Sequence, residues 1–352
     1  MILPAPAVTP VSRGFVVEGG TAAGLHDAAG ESARLRKLGC DVFAASEVNH
    51  DPFLALAVAA AETAEIGLAT GIAVAFARSP MTLAATAWDL QSFSGGRLVL
   101  GLGSQVKAHV ERRYAMPWSR PAARVREYVQ AARAIWHSWQ SGDELDFRGD
   151  FYSHTLMTPV FRPGPLSCDP PPVFVAAVGE QMTTAACEVA DGIALHAFTT
   201  ERYVREVTLP AVERVLTAHG RSREQFQIRA TPFIIAESDP QRRADAVQRV
   251  RERIAFYGST PAYRRILDVH GWGALHDDLL GLSKRGRWEE MGELVSDEVL
   301  ETFAIVAEPS TLADRVRARW IGVADRISLA LPPDSDDDWH ASVVAALRTS
   351  GP

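Results

Sequence analysis

Short apolar runs alternate with longer amphipathic ones along nearly the whole chain. The short runs predict strands at Gly14–Val17, Asp41–Ser46, Ile66–Ala75, Leu98–Gly103, Pro172–Val178, Gly192–His196, Gln227–Ala236 and Arg326–Leu331. Several are apolar at almost every position, such as V-F-V-A-A-V from Val173, which suits strands of a parallel sheet covered on both faces. Between them the helical period predicts helices over His26–Leu38, Asp51 to about Ala64, Pro80–Ser92, Pro121–Trp139, Gln181–Ala190, Glu201–His219, Pro240–Tyr257 and Thr311–Trp320. Asp51-Pro52 places a capping carboxylate before a first-turn proline, and Gly39 stands where a helix end favours a left-handed residue. Strand–helix units repeated about eight times in one chain predict an α/β fold of the (β/α)8 TIM-barrel kind. A doubly wound open sheet is the structural rival.

Three insertions interrupt the rhythm. Ser104–Arg120 follows the fourth strand, Ser141–Pro171 precedes the fifth and reads as a hairpin plus loop, and Gly258–Leu300 follows the seventh helix and is partly helical. In a barrel the loops after strands gather at the C-terminal face, so the first and third insertions are placed to cap a site there. The expected organisation is one domain over 1–352, with the barrel over about 12–332 and an acidic tail over 333–352, where Asp334–Asp338 reads as a solvated run.

The chain of 352 residues is 47% hydrophobic and 22% charged, an ordinary globular balance. Its formal net charge of −7 gives no basic face for nucleic acid. Cys40, Cys168 and Cys187 are odd in number and far apart, which argues against a disulfide framework or a structural zinc site and for a reducing compartment. The N-terminal segment carries Pro4, Pro6 and Pro10 and no early basic residue, unlike a signal peptide, and the apolar stretch Leu54–Ala77 is broken by Glu62 and Glu65. These features predict a cytoplasmic protein with no membrane partner.

Among motifs, Gly101-Leu102-Gly103 begins like a dinucleotide fingerprint, but position 106 is Val where the third glycine belongs, and no suitable helix is expected to start there. Close backbone approach is the better reading of that glycine pair. No G-x-S-x-G elbow or Walker loop is present, and His270 with His276-Asp277-Asp278 has no zinc-site spacing, so no metal is expected and a solvated helix is the reading for that triplet.

The ordered segments G-C-D-V-F-A-A-S-E from Gly39, L-A-T-G-I-A-V-A-F-A-R-S-P from Leu68, S-G-G-R-L-V-L-G-L-G from Ser94, P-V-F-V-A-A-V-G from Pro172 and F-A-I-V-A-E-P from Phe303 resemble the luciferase-like flavin and deazaflavin oxidoreductases. G-S-Q-V-K-A-H-V-E-R-R, M-P-W-S-R-P and S-T-P-A-Y-R resemble an actinobacterial subgroup assigned to coenzyme F420. The resemblance spans roughly Leu35 to Pro332. It implies a TIM barrel, usually a homodimer, with the cofactor ring at the C-terminal mouth and a small organic molecule as substrate.

The resemblance also implies roles for particular residues. The Gly71–Ile72 bond matches a non-proline cis peptide behind the ring. Ser104, Gln105 and Lys107, with His109, match polar groups beside the cofactor after the fourth strand; Val106 stands where some relatives carry a carboxylate. Gly179, Glu180 and Gln181 match a helix start that takes the cofactor phosphate, where free N–H groups and the positive end of the dipole favour an anion. There Glu180 would repel a phosphate unless it points away. After the second strand some relatives carry an acid followed by His; here Glu47-Val48 keeps the acid and lacks the His, which counts against sugar-phosphate dehydrogenation. Glu47, His50 and His109 are then the candidate proton donors, with the Asp51 cap as the competing explanation for His50. Arg78, Arg112 and Arg113 read either as anion contacts or as structural and surface charges, and Tyr257, Ser259, Tyr263, His270 and Trp272 as pocket lining or packing.

The implied activity is hydride transfer between F420 and an organic substrate, such as reduction of an activated C=C or C=N bond in an enone, imine or dehydroamino acid. An FMN-dependent monooxygenase and a non-catalytic binding barrel are the alternatives.

Overall fold

The computed structural model describes residues 14–21, 24–331 and 336–349. Eight strands form the barrel: β1 Val16–Thr21, β2 Val42–Ala45, β3 Gly67–Thr70, β4 Leu98–Gly103, β5 Val173–Ala177, β6 Gly192–Leu195, β7 Gln227–Ala230 and β8 Arg326–Leu329. Each pairs in parallel with the next, and β8 returns to β1 through Val16–Arg326 and Glu18–Ser328. The sheet is therefore closed, and the open-sheet rival is excluded.

Most predicted strands and helices appear with ends moved by a few residues. The long run Ile66–Ala75 is one of two exceptions. It divides into β3 and Ala73–Val74 on either side of Gly71–Ile72, whose peptide bond is cis. Gln227–Ala236 divides likewise: β7 lies in the barrel, while Phe233–Ile235 pairs in parallel with Ala304–Val306 outside it. The hairpin in the second insertion pairs Phe147–Arg148 with Ser153–His154.

The reading of an acidic tail is corrected over its described part. Asp337–Arg348 is a helix that buries Val343, Val344 and Leu347 against the barrel, and the Phe15 N–H bonds the Leu347 carbonyl. The acidic side chains of its first turn, Asp337 and Asp338, are those a helix N-terminus favours. Asp334 lies outside the described residues.

Outward residues such as Val17, Ile228 and Ile327 pack under the surrounding helices in the main core. The third insertion, with Phe198 and Tyr203 from the segment after β6, has a separate core that includes Ile254, Leu267, Leu279 and Phe303. The Phe198 and Phe303 rings stack there with centroids 4.4 Å apart. Each such side chain contributes roughly 1.5–3 kcal/mol of burial, enough to hold the insertion on the barrel. Among the described residues, no helix is long and apolar enough to cross a membrane.

Gly30 tests the helix energetics. It lies inside the helix Leu25–Lys37, and an added Cβ would meet nothing within 4 Å. Gly30→Ala should therefore stabilise the protein by about 0.5–1 kcal/mol, seen as a raised urea midpoint with unchanged slope.

Candidate active site

β3 ends at the C-terminal mouth in a shelf held from three sides. The Ser46 hydroxyl donates to the Gly71 carbonyl at 2.8 Å. The Glu47 N–H donates to the Ile72 carbonyl at 3.2 Å. From β4, Gly101 and Gly103 leave room for the Ile72 side chain, whose Cδ1 would lie 2.7 Å from a Cβ on Gly103. The glycine pair thus serves close approach, as its sequence reading held. The helix that starts soon after it, Lys107–Arg112, is only six residues long, so no helix of the dinucleotide-binding sort follows the pair.

Below the shelf lies a buried ionic network that the sequence reading missed. In β1, β7 and β8 the inward positions carry Glu18, Gln227, Arg229, Arg326 and Ser328. Glu18 Oε2 lies 2.5 Å from Arg229 Nε, and Glu18 Oε1 lies 2.6 Å from Arg326 Nε. Arg326 also donates to Gln227 Oε1 at 3.2 Å and lies over the Phe174 ring. Arg229 donates to Ser328 Oγ at 3.3 Å. A Cβ on Gly71 would come within 2.9 Å of the Arg229 guanidinium, so the missing side chain leaves the space that this cation fills. Burial alone would raise the Glu18 pKa; the two guanidinium groups outweigh it and hold the carboxyl below its ordinary value.

The predicted proton donors fall into different settings. Glu47 is committed: its Oε2 accepts from the Val74 N–H and from Arg78, both at 2.7 Å, and its Oε1 from the Tyr114 hydroxyl at 3.3 Å. Arg78 also bonds Asp51 at 2.7 Å, so its guanidinium is shared between two carboxylates. Burial and then the Glu47 carboxylate push the Tyr114 phenol up. The contacts with Val74, Arg78 and Tyr114 hold Glu47 against the shelf. His50 and His109 are exposed, His50 in the loop after β2 and His109 in the short helix Lys107–Arg112. Of the residues after β4, Ser104 bonds the Gln105 carbonyl at 3.1 Å and Gln105 Oε1 accepts from Val106 N–H at 3.0 Å. Exposed Lys107 faces Glu111 at 3.8 Å. Arg113 donates to the Val48 carbonyl.

Gly179, in left-handed backbone with φ 85°, caps the helix Glu180–Val189. The position of Glu180 is resolved by Arg214, whose Nη2 lies 2.7 Å from its Oε1 and draws the carboxylate aside. On the other side of the cap, a Cβ on Gly179 would lie 2.7 Å from Arg265 Nη1, so this guanidinium rests against the helix start. Arg265 makes no ion pair among the described residues, and the Tyr203 phenol stands beside it. Exposed Gln181 follows in the first turn.

Of the residues proposed as pocket lining, Tyr257 and Tyr263 meet His196, with ring centroids 4.6 and 4.9 Å away, just past β6. Ser259 instead bonds the Phe256 carbonyl at 2.7 Å, and His270 bonds Thr200 and stacks on Trp272. His276 is corrected from solvated to buried, with Nδ1 2.7 Å from the Gly258 carbonyl, while Asp277 pairs with Arg264. His196 was overlooked. A histidine closing a strand otherwise made of G-I-A-L, at the face where barrel chemistry gathers, was the available signal.

Comparison with known proteins agrees with this geometry. The profile of the luciferase-like monooxygenase family matches residues 11–325. An uncharacterized protein of Mycobacterium tuberculosis is 47% identical over 316 residues, 90% of this chain and 93% of its own length. A putative coenzyme F420-dependent oxidoreductase of the same organism is 29% identical over 289 residues, covering 76% of this chain and 79% of its own. The solved coenzyme F420-dependent tetrahydromethanopterin reductase from Methanopyrus kandleri superposes with a TM-score of 0.75 at 18% identity, over 96% of this chain and 98% of that one. The chain is therefore an enzyme of the luciferase-like monooxygenase family.

Proposed function

We propose that this enzyme binds coenzyme F420 at the C-terminal mouth and reduces an activated C=C or C=N bond of a small organic molecule. The observation that carries the reading is the anion seat at Gly179. A ten-residue helix presents its N-terminus there, Arg265 adds a positive charge with no carboxylate partner among the described residues, and Arg214 removes the one opposing charge. These groups suit the phosphate of a deazaflavin tail. The glycine-lined shelf at Gly71–Ile72, with no side chain on Gly71, offers a flat surface for the ring. The F420-dependent relatives favour the deazaflavin over FMN.

When bound, reduced deazaflavin would supply a hydride, which carries both electrons of the reduction, and the proton that completes it would come from solvent at the open mouth. The chain's own groups divide the remaining work. Gly179, Gln181 and Arg265 hold the tail, while Ser46, Glu47 and Arg78 brace the shelf. Ser104 and Gln105 on the loop after β4, and Lys107 at the start of the helix that follows, would be the polar groups beside the ring. Glu47 acts here as a positioning residue.

Titration of the purified protein with F420 and, separately, with FMN, followed by tryptophan fluorescence, tests the proposal. Saturable quenching by F420 and a much weaker response to FMN is the expected result. Binding of FMN alone would replace the reading with a flavin monooxygenase. Binding of neither would leave a barrel without a redox cofactor.

A further inference from the structure

We infer that His196 is a hydrogen-bond donor to the substrate's carbonyl or imine acceptor, and that the substrate is an uncharged, largely apolar molecule. This deepens the proposed function, on which it rests for the reaction, and starts from geometry independent of the cofactor.

The Phe198 N–H donates to His196 Nδ1 at 3.0 Å. A nitrogen that accepts a backbone N–H carries no proton, so the neutral ring is protonated on Nε2. Among the described residues Nε2 has no hydrogen-bond partner, and it is not among the buried polar atoms left unsatisfied, so it opens to accessible space. The ring is walled by Tyr257 and Tyr263, which in turn pack on Phe198. Burial, and then the charge of Arg253, push the His196 pKa down to about 4, and burial drives the Tyr263 phenol up to about 12. Around His196 lie the Tyr257, Tyr263 and Phe198 rings and the Arg253 cation, and among the described residues no carboxylate pairs with the imidazole. At neutral pH it is a fixed neutral donor, which suits an oxygen or nitrogen lone pair and offers no positive charge to an anion.

Tyr257 and Arg253 are shared between the His196 surroundings and a neighbouring cleft. This cleft, of about 480 Å³, is also lined by Phe256 and Trp288. Two carboxylates, Glu252 and Glu289, against one cation, Arg253, give the cleft a net negative balance. Aromatic walls and this sign favour a hydrocarbon-rich, uncharged substrate and disfavour phosphates and carboxylates.

The test uses the full chain labelled with ¹⁵N-histidine, with the His196 signal assigned by its loss in His196→Gln. Long-range ¹H–¹⁵N spectra should show a neutral Nε2–H imidazole that does not titrate between about pH 5.5 and 8. A proton on Nδ1, or a cationic ring at pH 7, would overturn the inference. With 2-cyclohexen-1-one as probe the Nε2 resonance should move on saturation. His196→Phe should weaken that binding about tenfold, as expected for one lost hydrogen bond of about 1.4 kcal/mol, and His196→Gln, which keeps an N–H donor, should weaken it less. Cyclohexanecarboxylate should not compete. Equal enone binding by His196→Phe, or tighter binding of the carboxylate, would refute the substrate class. F420 titration of the same proteins reads the cofactor seat separately: failure there with the imidazole result intact would count against the cofactor and leave the donor site standing.

Discussion

Glu18→Gln is expected to be the most destabilising conservative substitution in the barrel, costing about 3–5 kcal/mol, because it leaves two buried guanidinium groups without a counter-charge. The three charged side chains are at least nine-tenths buried and come from three strands. Removing either arginine leaves a neutral one-to-one pair, so Arg229→Met and Arg326→Met should each cost clearly less than Glu18→Gln. The reverse order in urea denaturation would show that the network does not work as a charge balance. The pH dependence provides a second test. Because the folded-state pKa of Glu18 lies below the ordinary value of 4.5, its contribution is complete above that value, where both states are ionised. As the pH falls below about 4.5 the unfolded chain takes up a proton first, and stability drains away until the folded pKa is reached. Glu18→Gln should flatten this acid limb and leave the slope above pH 5 unchanged.

That network also shows what the sequence made legible. The eight strand segments and their order were readable because each is a short apolar run between amphipathic stretches. Two of the charged positions lie inside them, in Q-I-R-A and R-I-S-L, and Glu18 stands one residue past Gly14–Val17, but what they do there was not visible. Glu18 and Arg326 are 308 residues apart and become neighbours only when the barrel closes. The same holds for Arg214, which neutralises Glu180 from 34 residues away, and for the tyrosines around His196. Local pattern located the shelf, because its glycines and the Gly71–Ile72 step are contiguous in sequence. It did not distinguish a free Glu47 from one held by Arg78, because a carboxylate at a strand end reads alike in either setting. The acidic run near the C-terminus reads as a solvated tail because its aspartates precede, and conceal, the apolar face of a helix.

The glycines of β4 allow stability and cofactor binding to be separated. A Cβ on Gly101 would lie 2.2 Å from the Thr70 carbonyl oxygen and 3.3 Å from its carbon, both backbone atoms of the adjacent strand. The Thr70 hydroxyl also donates to the Gly101 carbonyl at 2.6 Å, which ties the strands at that point. Gly101→Ala can be accommodated only by moving β3 from β4 just below the shelf, so it should cost about 2–4 kcal/mol, at or slightly above the usual overpacking range, and weaken F420 binding at least tenfold. Gly103→Ala meets a different obstacle, since the nearest atom is the Cδ1 tip of Ile72, which can turn aside. Its stability cost should stay within about 1 kcal/mol, while the displaced Ile72 reshapes the surface under the ring and still weakens F420 binding. Thermal or urea unfolding and F420 titration of the two variants give four numbers. The shelf's role requires loss of affinity in both variants but a large loss of stability only in Gly101→Ala. Affinity preserved in Gly103→Ala would move the cofactor away from Ile72, and equal stability losses would mean that the strands yield as readily as a side-chain tip.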